Sequence, residues 1–135
     1  MDISQNKPLI VVVDDSAAVR DFFEKVAKSL AIELQVFVSA ADAMPYLEQH
    51  QPSLLFLDII MPDKDGPTFL QELRHDVRHE NTPTIVISSK DYAQDRIAAK
   101  ELGVMEFVAK PMSTRTISDL IVKFAGIEPD SATHE

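Results

Sequence analysis

Short unbroken runs of aliphatic and β-branched residues recur along the chain, and each is followed by a stretch whose apolar residues return every three or four positions. A run such as Leu9–Val13 offers no polar residue to turn toward water, so as a strand it must be buried on both faces. The stretch holding Val19, Phe22, Phe23, Val26 and Leu30 lines one side of a helix. The alternation predicts strands at Leu9–Val13, Leu34–Val38, Leu54–Leu57, Thr84–Ser88 and Val104–Val108, with a helix after each. Buried strands alternating with amphipathic helices require a parallel sheet covered on both sides.

The helix ends carry their own signals. Ser16 is placed to cap the first helix, and Ser39 or Asp42 the second, which contains Met44, Tyr46 and Leu47. Pro45 is tolerable if that helix begins at Asp42 and otherwise disturbs its first turn. Pro67 suits the first position of a third helix whose inner stripe is Phe69, Leu70, Leu73 and Val77. Asp91 is placed to cap a fourth helix, with Ile97, Ala98 and Leu102 inside and Gly103 as its left-handed stop. Ser113 caps the fifth, Met112 and Ile117 are spaced as a hydrophobic staple, and Gly126 ends it. Five βα units with right-handed crossovers fit the flavodoxin-like, doubly wound α/β arrangement, a five-stranded parallel sheet in order 2-1-3-4-5. The 135 residues suit one domain, expected over 8–126, with 1–7 disordered and 127–135 a flexible tail.

Composition removes several chemistries. Without cysteine there is no disulfide, thiolate metal site or thiol nucleophile. A formal charge of −9 argues against nonspecific binding to nucleic acid or to an anionic membrane. The first seven residues lack the apolar segment of a secretory signal, and no apolar run is long enough to span a bilayer. A cytoplasmic location is expected.

Polar residues fall where the strands end. Asp14 and Asp15 follow the first strand, Asp58 the third, Ser88 and Ser89 close the fourth, and Lys110 follows the fifth. In a parallel sheet these ends share one edge, and ligands of open α/β sheets bind there, where strand order reverses. Three adjacent carboxylates repel one another: two unit charges ~4 Å apart at an effective dielectric of about 20 cost roughly 4 kcal/mol. Shared protons or a bound cation must relieve this. Oxygen ligands alone favour Mg²⁺ over a transition metal, with Mn²⁺ admitted. A carboxylate in such a pocket can attack a phosphoryl donor and form an acyl phosphate. Lys110, the Ser88 hydroxyl and a backbone N–H after Asp58 would then share the oxygens with the cation.

With these motifs in order, joined by Met61-Pro62-Asp63-Lys64-Asp65-Gly66 and Lys110-Pro111, the chain resembles the receiver domain of bacterial two-component response regulators over residues 8 to 126. The resemblance implies that Asp58 is the phosphoacceptor. It implies that Mg²⁺ is held by Asp14, Asp15, Asp58 and the Ile60 backbone carbonyl, Asp15 being taken for the direct role. It makes Ser88 the hydroxyl switch residue and Lys110 the family's lysine. It places Phe107 at the aromatic switch position, where its ring would turn inward as Ser88 moves toward the phosphoryl group. The Lys110–Pro111 bond is expected to be cis. Ile60 and Lys90 sit where the family tunes dephosphorylation. The implied partners are a histidine kinase or histidine phosphotransfer protein and a downstream protein target. A monomer is expected, with a phosphorylation-dependent dimer through the helix four to helix five face compatible with it.

Plainer roles compete at several positions. Ser88 alone is more often a local hydrogen-bonder, Phe107 a core aromatic, and Lys110 a surface lysine. His75 and His79 read as a solvated pair rather than a zinc site, and Arg74–Glu80 as a solvated face. The leading function is a stand-alone phosphoacceptor that catalyses only its own phosphorylation and dephosphorylation; the near rival is a receiver fragment of a longer regulator. A Mg²⁺-dependent aspartyl-phosphate phosphatase needs a second acid two residues after its nucleophile, where this chain has Ile60. A flavin carrier needs a neutral, Gly/Ser/Thr-rich phosphate loop after the first strand, where this chain has Asp14-Asp15-Ser16-Ala17.

Overall fold

The apolar runs pair into one parallel sheet in the computed structural model, which describes residues 7–90 and 92–126. The strands are β1 (Leu9–Val13), β2 (Glu33–Phe37), β3 (Leu54–Asp58), β4 (Thr84–Ser88) and β5 (Glu106–Ala109). Their order is β2-β1-β3-β4-β5, so β1 and β3 lie side by side at the point where the winding reverses. The helices are α1 (Ala17–Ala27), α2 (Ala40–Gln49), α3 (Gly66–Arg74), α4 (Ala93–Glu101) and α5 (Thr114–Ala125), and a 3-10 turn covers Val77–His79. The segments 1–6 and 127–135, expected to be loose, and Asp91, expected to cap α4, lie outside the described residues.

The two-residue period of a strand divides the sheet's side chains between two cores. Ile10, Val12, Leu54, Phe56, Ile85 and Ile87 face α1 and α5, where Phe23, Val26, Ile117 and Ile121 meet them. Val11, Val13, Leu55 and Leu57 face α2 and α3, meeting Leu47, Phe69, Leu70 and Leu73. Every residue of β3 and β4 is buried. Burying a side chain of this size contributes about 1.5–3 kcal/mol each, which fixes the register because a one-residue slip would exchange the two faces.

Capping sets where most helices begin. Ser16 accepts from Val19 N, Ser39 from Asp42 N, Asp65 from Thr68 N and Ser113 from Thr116 N. Gly103 and Gly126 take the left-handed φ values of 80° and 73° expected of helix stops. Pro45 lies inside α2, which begins at Ala40 rather than Asp42. Having no N–H, it leaves the Ala41 carbonyl without its helical donor.

Other expectations are corrected. β2 begins and ends one residue earlier than read, and β5 starts at Glu106 rather than Val104. Val77 belongs to the 3-10 turn and is 80% exposed, because α3 stops at Arg74. Ile97 points outward and Leu102 is half-buried; α4 buries Ala99 instead, against Ile59 and Val86. His79 is fully buried. Its Nε2 donates to the Leu47 carbonyl at 2.6 Å, and its Nδ1 lies 3.0 Å from the Thr82 hydroxyl. Arg74 is half-buried, not part of a solvated face. It donates to the carbonyls of Leu102, His79 and Thr82 at 2.8–3.0 Å and to the Thr84 hydroxyl at 3.3 Å. That fan of bonds ties together the end of α4, the 3-10 turn and the entry to β4, at the sheet edge away from the strand C-termini.

Candidate functional site

Asp58 is the last residue of β3 and pairs across the sheet with Ile87. Asp14 extends β1 by one rung, its N–H donating to the Phe37 carbonyl at 3.0 Å. Lys110 leaves β5 with its N–H donating to the Ser88 carbonyl at 2.8 Å, and the bond from Lys110 to Pro111 is cis. Parallel pairing thus carries four separate segments to one edge. The Lys110 ammonium lies 3.0 Å from Asp14 Oδ2 and 3.5 Å from Asp58 Oδ1. Ligand oxygens of Asp14, Asp15 and Asp58 lie within 4.8 Å of one another. Asp14 and Ser88 are buried, Asp58 is 4% exposed, and Asp15 stands at the solvent rim.

Local bonds aim these groups. Asp14 Oδ1 accepts from Ser16 N at 2.8 Å, and Arg20 donates to the Asp14 carbonyl at 3.0 Å. Asp14 is therefore locked with Oδ1 engaged, while Oδ2 is fully buried and has no hydrogen-bond partner. The nearby ammonium gives Oδ2 an opposite charge at ion-pair distance without an aligned hydrogen bond. A buried carboxylate oxygen left this way is costly unless something else binds it. Three carboxylates also face one ammonium, an excess of negative charge. The donor set is all oxygen. The group therefore fits a small hard divalent cation.

Asp58 carries the electrostatic strain. Burial, then the charge of Asp14, push its carboxyl up to about 6 from the ordinary 3.8; Lys110 and the N–H of Ile60 pull it back only in part. Ser88 Oγ accepts from Lys90 N at 3.0 Å, which leaves its own proton free to donate. Ser89 is exposed. The half-buried Phe107 packs with Ile59, Val86 and Ala99, and the Arg96 guanidinium lies 4.4 Å from its ring centroid. Beside Lys110 a groove of about 440 Å³ runs between Val19 and Phe22 of α1 and Pro111 and Met112.

The loop from β3 to α3 is held closely. Gly66 N donates to the Ile59 carbonyl at 2.7 Å. A Cβ on Gly66 would stand 2.5 Å from the Asp58 carbonyl oxygen, so a side chain there collides with the Asp58 backbone. Asp63 reaches across to α2, accepting from Ala41 N at 2.9 Å and Ala40 N at 3.4 Å. The Ala41 bond chiefly holds its carboxyl below the usual range.

Asp14, Asp15, Asp58, Ser88 and Lys110 are thus brought to one edge, whereas His75 and His79 are parted, one exposed and one buried. Asp63, Arg74 and His79 are polar anchors that sequence reading missed. Asp63 had a signal, an acid within a turn-rich loop, but its partners lie 22 and 23 residues away.

Three comparisons bear on this site. The family model described as response regulator receiver domain matches residues 10–122. The response regulator Rre1 of a Synechocystis strain is 29% identical over 113 residues, covering 83% of this chain and 49% of that protein, so the chain spans about half of its relative's length. A receiver domain protein from Methanospirillum hungatei superposes with a TM-score of 0.83 at 18% identity, covering 90% of this chain and 95% of that one. The Mn²⁺-bound form of the response regulator Rcp1 gives 0.79 at 24% identity, covering 90% and 98%. At these identities the two structures speak for the fold.

Proposed function

The chain belongs to the response regulator receiver domain family, and from that premise we propose that Asp58 is the residue that accepts the phosphoryl group. The observation that carries this reading is the buried Asp58 carboxylate, flanked by Asp14 and within 3.5 Å of the Lys110 ammonium at the sheet edge. One Asp58 oxygen forms the new bond to phosphorus while the bond between phosphorus and the donor breaks. At neutral pH a carboxyl titrating at about 6 is mostly ionised and so competent as a nucleophile. Lys110 balances charge on the equatorial oxygens, the Ile60 N–H can donate to one of them, and the Ser88 hydroxyl has a proton to give.

Asp14, Asp15, Asp58 and the Ile60 carbonyl would hold the cation, for which we favour Mg²⁺; Mn²⁺ suits the same oxygens, and Rcp1 carries it. When bound, it neutralises the developing charge on the phosphoryl oxygens. With Asp14 already fixed through Oδ1, its buried Oδ2 is the oxygen aimed inward, and the exposed Asp15 completes the shell from the rim. Receiver domains take part in two-component signalling with histidine kinases or phosphotransfer proteins. For this chain we assign such a protein as donor. The half-buried Phe107, on the face formed by α4 and β5, is the element that reports the phosphoryl group to a protein target.

The test is incubation with a small-molecule phosphodonor and Mg²⁺, read by intact mass. Wild type is expected to gain one phosphoryl group, Asp58→Asn none, and wild type in EDTA none. Unchanged labelling of Asp58→Asn would move the acceptor elsewhere.

A further inference from the structure

We propose that Asp63 is a positioning residue for this site, anchoring the β3–α3 loop to the N-terminus of α2 so that Ile60 is held against Asp58. The inference rests on the reading of Asp58 and its neighbours as the cation and phosphoryl site, and extends it to a residue outside that pocket.

The geometry separates Asp63 from an ordinary helix cap. α2 already has its own cap, Ser39, whose hydroxyl accepts from Asp42 N at 3.1 Å. Asp63 instead takes the N–H groups of Ala40 and Ala41 from a different segment of chain. A carboxylate accepting backbone N–H groups at a helix N-terminus is favoured by both hydrogen bonding and the helix dipole. The rest of the loop is fixed at its base, where Gly66 N meets the Ile59 carbonyl and Asp65 caps α3. Between base and apex lies Ile60, whose side chain is half exposed and gives it little packing of its own. The proposed site needs its N–H on the Asp58 carboxylate, where it lowers that group's pKa, and its carbonyl turned to the cation. Met61 is buried in the core that holds Ala40, Ala43 and Leu47, and among the described residues Asp63, three residues on from Ile60, adds the hydrogen bonds that join the loop's apex to the first turn of α2. Groups that orient ligands in this indirect way commonly carry an order of magnitude in metal affinity.

The experiment compares wild type, Asp63→Ala, Asp63→Asn and Ser39→Ala. Mn²⁺ binding is followed by the resonance of the free ion, and the Ile60 amide proton is followed by NMR in metal-free protein. Asp63→Ala is expected to weaken Mn²⁺ binding about tenfold and to shift the Ile60 amide toward solvent-exposed values. Asp63→Asn, which retains a carbonyl oxygen to accept an N–H, falls between. Ser39→Ala frays the same helix end and lowers thermal stability, but keeps wild-type Mn²⁺ affinity and the wild-type Ile60 shift. Equal effects of Asp63→Ala and Ser39→Ala on both readouts, or none from Asp63→Ala, overturn the proposal, leaving Asp63 a second cap and no more. Wild type that binds no Mn²⁺ defeats the cation reading instead, and the Ile60 amide still decides the role of Asp63.

Discussion

Replacing Asp58 by asparagine should make the metal-free protein more stable at neutral pH. Asp58 is 4% exposed, and its carboxyl sits at about 6, against 3.8 for the unperturbed group. A shift of roughly 2 units corresponds to about 3 kcal/mol of preference for the protonated form. The folded pKa is the higher one, so this contribution is fully present below the unfolded value and is lost as pH rises through about 6. At pH 7.5 the folded state therefore carries an ionised Asp58 at a cost of about 3 kcal/mol relative to the unfolded chain. Asparagine stays neutral and nearly the same shape. The expected gain for Asp58→Asn at pH 7.5 is then about 2–3 kcal/mol, some of it offset by the weaker bonds an amide makes with Lys110 and the Ile60 N–H. At pH 4.5 the gain should shrink to a fraction of that, because wild type is itself protonated in the folded state. The assay is urea unfolding in EDTA at both pH values, read as midpoint shifts at constant slope. Saturating Mg²⁺ should close the gap at pH 7.5 from the wild-type side, since a ligand at about 100 times its Kd adds roughly 2.7 kcal/mol. A mutant no more stable than wild type at pH 7.5, or a gain equally large at pH 4.5, would refute the electrostatic reasoning.

Lys110→Met removes the only ammonium at ion-pair distance from both Asp14 and Asp58 among the described residues; the Asp58 midpoint, read from its carboxyl carbon shift, should rise above about 6, and phosphodonor labelling should fall sharply. Gly66→Ala places a Cβ 2.5 Å from the Asp58 carbonyl oxygen; an expected loss of about 1–3 kcal/mol in urea unfolding should accompany slower labelling, because the loop must withdraw from the reactive position. Arg74→Met strips donors from the carbonyls of Leu102, His79 and Thr82 and should cost about 2–4 kcal/mol; Arg74→Lys should recover only part of it, since an ammonium lacks the planar fork that spans these acceptors.

The strands and the site were legible in the sequence for the same physical reason. Leu54–Leu57 has no polar residue, so it must be a central strand, and once β1 and β3 are central the acids at their ends must meet. Asp14, Asp15, Asp58, Ser88 and Lys110 could be placed together because topology alone brings strand ends to one edge. What escaped depends on partners that local pattern does not carry. One hydrogen-bond partner of His79, the Leu47 carbonyl, lies 32 residues away, and the local sequence around His79 does not distinguish a buried imidazole from a solvated one. Arg74 looked like surface charge because its acceptors are backbone carbonyls, which every sequence offers equally. On α4, Ile97 dominated the apolar pattern, yet the face that packs is marked by Ala99, whose small side chain gives almost no periodic signal. The misread α4 packs on this part of the sheet through Ala99, which meets Ile59 and Val86 with Phe107 alongside. A helix anchored by many large side chains could not shift without losing several kcal/mol of burial; under the proposed roles of Ser88 and Phe107, a helix packed through a small residue is the one that can repack.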